Sequence, residues 1–116
     1  MTLILKPWGH ENIWAHTDDY VGKILVIKPD KKLSRQYHQE KDETIYVLKG
    51  TLTLEIGGDG DIETTKMTKG DTYHVKPETI HRFCNFGEES LHLIEVSTPE
   101  LADVVRIEDD YGRGHA

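Results

Sequence analysis

Apolar and polar positions alternate with a period of two over residues 43–48 and 51–56, and no stretch of the chain is long and periodic enough for a helix. Leu52, Leu54 and Ile56 interleave with Thr51, Thr53 and Glu55, the signature of a half-buried strand. Residues 20–28 are rich in β-branched side chains and predict a strand, as do 33–38, 43–48, 62–68, 72–75, 81–85 and 90–97. Residues 1–5 predict a short apolar strand, broken by Lys6-Pro7-Trp8-Gly9, where proline removes a donor and glycine frees the backbone. Turns are expected at Asp18-Asp19, Pro29-Asp30-Lys31-Lys32, Lys49-Gly50, Lys69-Gly70-Asp71 and Gly87-Glu88-Glu89. Gly57-Gly58-Asp59-Gly60-Asp61 has the Asp/Gly flavour of a calcium loop but lacks the bidentate Glu and flanking helices, so a hairpin loop is expected. Residues 99–102 suggest one helical turn, 104–107 a last strand or extended arm, and 108–116 a polar tail. About ten short strands with turns every eight to twelve residues predict an all-β barrel or sandwich. There is no tandem repeat or linker, so residues 1–116 are expected to form one domain.

Composition narrows the function. The 116 residues carry a formal net charge of -7, which argues against a nucleic-acid backbone as partner. An anionic small substrate stays open, because a bound metal and a few local Arg or Lys side chains can reverse the field inside a cleft. No apolar run approaches the roughly 18 residues of a membrane helix, and the N-terminus lacks the features of a secretory signal. The single cysteine, Cys84, excludes an internal disulfide framework, reads as a small core residue, and with the rest makes a cytoplasmic protein the expectation. Of the seven histidines, His10, His16, His92 and His115 are assigned surface or structural roles.

The candidate chemistry lies in two stretches. The first is Gln36-Tyr37-His38-Gln39-Glu40-Lys41-Asp42-Glu43, closed by Gly50; the second runs from Gly70-Asp71 through Pro77 and His81 to Asn85. Gln36 and His38 are two apart and share one face of a strand, Glu43 lies just beyond, and His81 arrives from another strand. Two imidazoles, a carboxylate and an amide oxygen can fill four positions around a divalent cation.

The pattern Gln36-x-His38-x4-Glu43-x6-Gly50 followed by Gly70-x10-His81-x3-Asn85 resembles the two motifs of the cupin superfamily. That resemblance implies an all-β, cupin-type jelly-roll (double-stranded β-helix) barrel with a metal inside one end. Lys6-Pro7-Trp8-Gly9, Ser34-x-Gln36-Tyr37-His38, Gly50-Thr51, His81-Arg82, Ile94-Glu95-Val96 and the run from Val105-Arg106 to Gly112-Arg113 resemble, more narrowly, the type II phosphomannose isomerase domain. In that family the domain is often fused behind a nucleotidyltransferase; here it is expected to stand alone. The resemblance implies Gln36, His38, Glu43 and His81 as metal ligands. Gln36 stands where many cupins have histidine; a neutral oxygen donor there favours Lewis-acid chemistry, with zinc the expected ion and manganese, iron, nickel or cobalt as alternatives. The chain departs from the family at Lys41 (usually arginine), Ile45 (tryptophan), Lys76 (proline) and Glu78 (glycine), and its segment 97–103 is short.

The implied reaction is aldose–ketose isomerisation of the mannose 6-phosphate to fructose 6-phosphate type, with a proton moved between C1 and C2. Lys41, His74 and Arg113 are candidate catalytic residues, and Asp110 is a further candidate base. Arg106, with Arg113, is a candidate for sugar-phosphate recognition, and Tyr37 and Tyr46 for lining the barrel mouth. A metal-dependent dioxygenase or lyase, or a cupin that binds carbohydrate without turnover, are the competing readings. A homodimer is expected, with Leu3-Ile4-Leu5 as a contact element.

Overall fold

The computed structural model describes residues 1–58 and 60–113. Twelve strands follow one another: β1 (Thr2–Lys6), β2 (Gly9–His16), β3 (Val21–Ile27), β4 (Lys31–Lys32), β5 (Arg35–Tyr37), β6 (Glu43–Lys49), β7 (Leu52–Ile56), β8 (Glu63–Met67), β9 (Thr72–Val75), β10 (His81–Asn85), β11 (Leu91–Ser97) and β12 (Val105–Glu108). They form two antiparallel sheets, ordered β1-β2-β3-β11-β6-β9 and β12-β5-β10-β7-β8, with β4 also paired to β10. This is the expected double-stranded β-helix, or jelly roll. Among the described residues no helix is present, so none is long and apolar enough to cross a membrane.

The period-two pattern decides which side chains enter the barrel. Along β11, Leu91, Leu93, Glu95 and Ser97 are buried, while His92, Ile94 and Val96 face outward. Register then stacks the interior in layers. Leu91 lies across from Ile27. Leu93 lies across from Leu25 on one side and Val47 on the other; Glu95 across from Lys23 and Ile45; Ser97 across from Val21 and Glu43. Leu52, Leu54 and Phe83 complete the apolar core from the second sheet.

Three expectations change. Residues 9–16 form the eight-residue strand β2, which the alternation does not reveal because His10, Glu11 and Asn12 are polar; Glu11 nevertheless borders the interior, where Lys23 donates to it at 3.2 Å. Lys31–Lys32 is a short strand against Cys84 and Asn85, not part of the turn. Residues 99–102 make a turn without helix, held by Leu101 N–H to Pro99 O. Asp59 of the glycine-rich loop and His115 of the tail lie outside the described residues.

Gly9 is obligatory: at φ +153° a Cβ there would stand 1.9 Å from the Val26 carbonyl oxygen, so the β1–β2 hairpin that carries buried Trp8 requires it. Glu78, where the resembling family has glycine, adopts φ +66°, and its N–H donates to His38 O at 2.6 Å. The left-handed turn therefore persists without the residue best suited to it.

Candidate metal centre

His38 leaves the end of β5, Glu43 opens β6 and His81 opens β10, so three strand ends deliver three buried side chains to one point. Their candidate ligand atoms lie within 4.8 Å of one another. His38 Nε2 is 3.6 Å from Glu43 Oε2, and His81 Nε2 is 3.5 Å from Glu43 Oε1. His38 Nε2 and His81 Nε2 are buried and have no hydrogen-bond partner among the described residues, and Glu43 Oε2 between them meets the Lys41 ammonium at 2.9 Å. Buried polar atoms left unpaired are costly, and two imidazole nitrogens aimed at one carboxylate call for a common occupant.

The other ring nitrogens fix the tautomers. His38 Nδ1 lies 2.5 Å from Asp103 O, and His81 Nδ1 lies 2.8 Å from Thr79 O. A carbonyl oxygen only accepts, so each Nδ1 carries a proton and each Nε2 is the nitrogen turned to the centre. Burial lowers the pKa of His38 and keeps its imidazole neutral, more than Glu43 raises it. Burial alone would raise Glu43, but His81, Lys41 and His38 outweigh it and hold the carboxyl ionised, well below the usual range. Two imidazole nitrogens and one carboxylate are a donor set that fits a divalent cation.

Gln36 stands directly across from His81 in the β5–β10 pairing, and Arg106 of β12 stands across from Gln36. The three share the inner face. Gln36 Oε1 accepts from Ser34 Oγ at 2.6 Å. Beside the centre is a cavity of about 190 Å³, bordered by Gln36, His38, Lys41, Glu95, Arg106 and Arg113 among others. Its cations (Lys6, Lys23, Lys41, Arg106, Arg113) outnumber its carboxylates (Glu11, Glu95), so a chain of net charge -7 nevertheless has a cation-rich cleft. Arg106 Nε is buried there with no hydrogen-bond partner among the described residues.

The remaining candidates are placed as follows. Lys41 is buried and bridges Glu43 Oε2 at 2.9 Å and Glu95 Oε2 at 3.1 Å. Burial would lower its pKa, but Glu95 and Glu43 overcome this and raise it, so it is a locked cation and not a base. Arg113 borders the cavity, but its guanidinium forks onto Asp109 at 3.0 and 3.1 Å. His74, Tyr37 and Tyr46 do not border the cavity: strand alternation turns each away from its inward neighbours. His74 is half exposed and paired with Asp42; Tyr46 is exposed on the outer face. Asp110 also lies outside, bonded to Arg82 at 2.9 Å. Cys84 is buried, its thiol pushed up to about 11 chiefly by burial, an inert core group.

Two residues escape sequence reasoning. Asp103 takes the backbone N–H groups of Gln39, Glu40 and Lys41 on its carboxylate at 2.7–3.0 Å while its carbonyl orients His38. Those amide bonds, the one from Glu40 foremost, lower its pKa. Glu95 is fully buried and faces both Lys41 and Lys23. The only advance signal for it is its place in Ile94-Glu95-Val96.

Residues 2–109 match the family described as "Mannose-6-phosphate isomerase C-terminal". The chain is 34% identical over 113 residues to a mannose-1-phosphate guanylyltransferase of Escherichia coli (strain K12), covering 95% of this chain and 23% of that protein. It is 28% identical over 112 residues to the mannose-1-phosphate guanylyltransferase RfbM of Salmonella typhimurium, covering 94% of this chain and 22% of that protein. The chain thus spans less than a quarter of the length of these relatives. Among solved structures it is similar to KdgF from Halomonas sp., with a TM-score of 0.76 and 21% identity over 89% of this chain and 92% of that one. At that identity the likeness is one of fold.

Proposed function

Since this chain belongs to the mannose-6-phosphate isomerase C-terminal family, we propose that it is a metal-dependent sugar-phosphate isomerase acting between mannose 6-phosphate and fructose 6-phosphate. The observation that carries the reading is the convergence of His38, Glu43 and His81, with both imidazole Nε2 atoms unpartnered among the described residues, beside a cation-rich cavity. Gln36 is the fourth ligand, turning its amide oxygen from Ser34 toward the ion. One divalent ion, zinc first, supplies Lewis-acid polarisation of the sugar carbonyl when bound. Arg106, with its free buried Nε, binds the phosphate, and Arg113 assists from the cavity wall. Trp8, Leu33 and Phe83 border the same cavity and limit the water inside it.

The test is metal analysis of the purified protein together with turnover of mannose 6-phosphate, read as fructose 6-phosphate formed. One equivalent of a divalent ion and turnover that disappears on chelation are expected. A protein that takes up no divalent ion and forms no product overturns the reading.

The chain also forms a homodimer through the outer face of the sheet that ends in β1, where Leu3 and Leu5 are 59% and 79% exposed and Trp14 and Val96 are exposed as well. Light scattering at micromolar concentration should return twice the 13.3 kDa chain mass; a monomer contradicts it.

A further inference from the structure

An isomerase of this kind needs a proton carrier, and the side chains bordering the cavity leave few choices. Lys6, Lys23, Lys41, Arg106 and Arg113 are cations and accept nothing. His38 has its Nδ1 proton committed to Asp103 O and its Nε2 turned to the metal centre. Glu11 and Glu95 remain. Glu11 is the more remote: Lys23 and then Glu95 and Lys41 stand between it and Glu43. Glu95 is separated from the ligand carboxylate by a single ammonium, since Lys41 Nζ lies 2.9 Å from Glu43 Oε2 and 3.1 Å from Glu95 Oε2.

Resting on the isomerase reading above, we infer that Glu95 is the catalytic base that carries the proton between C2 and C1 of the sugar. The C2–H bond breaks and Glu95 takes the proton; the electron pair becomes a C1–C2 double bond while the C1=O π pair moves onto the C1 oxygen, giving an enediolate. The proton lost from the C2 hydroxyl is the one gained at the C1 oxygen. Glu95 then delivers its proton to C1, and the ketose forms without any oxidant or reductant. Lys41 is the positioning residue: its ammonium sets the Glu95 carboxylate at a fixed offset from Glu43.

The test compares wild type, Glu95→Gln and Glu95→Asp, each loaded with zinc, in D2O. The wild type should form fructose 6-phosphate and wash deuterium into the sugar. Glu95→Gln, which still accepts from Lys41, should keep its metal content and, within about threefold, its KM. Its kcat and its deuterium wash-in should both fall by at least about 100-fold, the usual worth of general-base catalysis. Glu95→Asp keeps the charge for Lys41 but withdraws the carboxylate; it should fold and bind zinc normally while kcat falls at least about tenfold. Glu95→Gln turnover within about fivefold of wild type, or losses that merely track lost metal in both variants, overturns the inference while leaving the isomerase reading intact. An inactive, metal-loaded wild type overturns that reading, and the role of Glu95 with it.

Discussion

At one end of the barrel interior Leu91 packs against Ile27, and Leu93 sits between Leu25 and Val47; a few ångströms further along the same three strands Glu95 faces Lys23, and Glu43 opens β6. The dry end gains from burial, about 1.5–3 kcal/mol for each large apolar side chain removed from water. The ionic end pays for desolvation, so it is tolerable only because signs alternate: Glu11, Lys23, Glu95, Lys41 and Glu43 each have an opposite neighbour. Replacing such a chain with apolar residues commonly leaves stability unchanged or improved. Its presence here is therefore read as chemistry and the dry end as scaffold.

Substitutions can separate the two ends. The largest effect on stability belongs to Leu93→Ala, which should cost about 2–5 kcal/mol in urea unfolding and leave zinc affinity of the folded protein unchanged. Glu43→Ala should do the reverse at the ionic end: zinc affinity, followed by chelator competition, falls at least about 100-fold if Glu43 is the ligand proposed above, since loss of a ligand should exceed the effect of losing its supporting partner. If the two variants exchanged these signatures, the division between scaffold and centre would be wrong.

A smaller effect is expected where the tail closes over the barrel. The Arg113 guanidinium, with the amides of Arg113 and Tyr111, lowers the Asp109 carboxyl from its ordinary 3.8 to about 2. A folded pKa below the unfolded one stabilises above the unfolded value, and that contribution is lost as pH falls from about 4 toward 2. Arg113 is partly exposed, so roughly 1 kcal/mol is expected after screening. Hydrogen exchange at the Tyr111 and Arg113 amides should therefore be several-fold faster in Asp109→Asn than in wild type at pH 5, with the gap closing at pH 2. The smallest effect belongs to His74→Ala: its pair with Asp42 lies half exposed on the outer face, so turnover should be unchanged and stability should shift by less than about 0.5 kcal/mol. A large loss of turnover would return His74 to the site.

Much of this is legible in the sequence. Strands such as β7 and β11 carry their own alternation, because one face of each meets the core. The pair Gln36 and His38 could be placed on one face from their spacing alone. β2 was missed because its polar residues face partners supplied by the tertiary fold, Glu11 finding Lys23 across the sheet. Asp103 was missed for a related reason: its bonds span 62 to 65 residues, beyond any local pattern. Tyr37 and Tyr46 were misplaced at the mouth because an aromatic side chain shows no preferred side until its strand's inward neighbours are fixed.

The Asp103 contacts carry a consequence for how this barrel can change. One residue in the link between β11 and β12 anchors the 39–41 loop through three amides and steers the His38 ring through its own carbonyl. Adding or removing residues in that link shifts Asp103, and the imidazole must turn with it. Length variation in an outwardly unremarkable connection is thus mechanically joined to the pose of a buried nitrogen, and insertions there should alter which ion is preferred before they alter the fold.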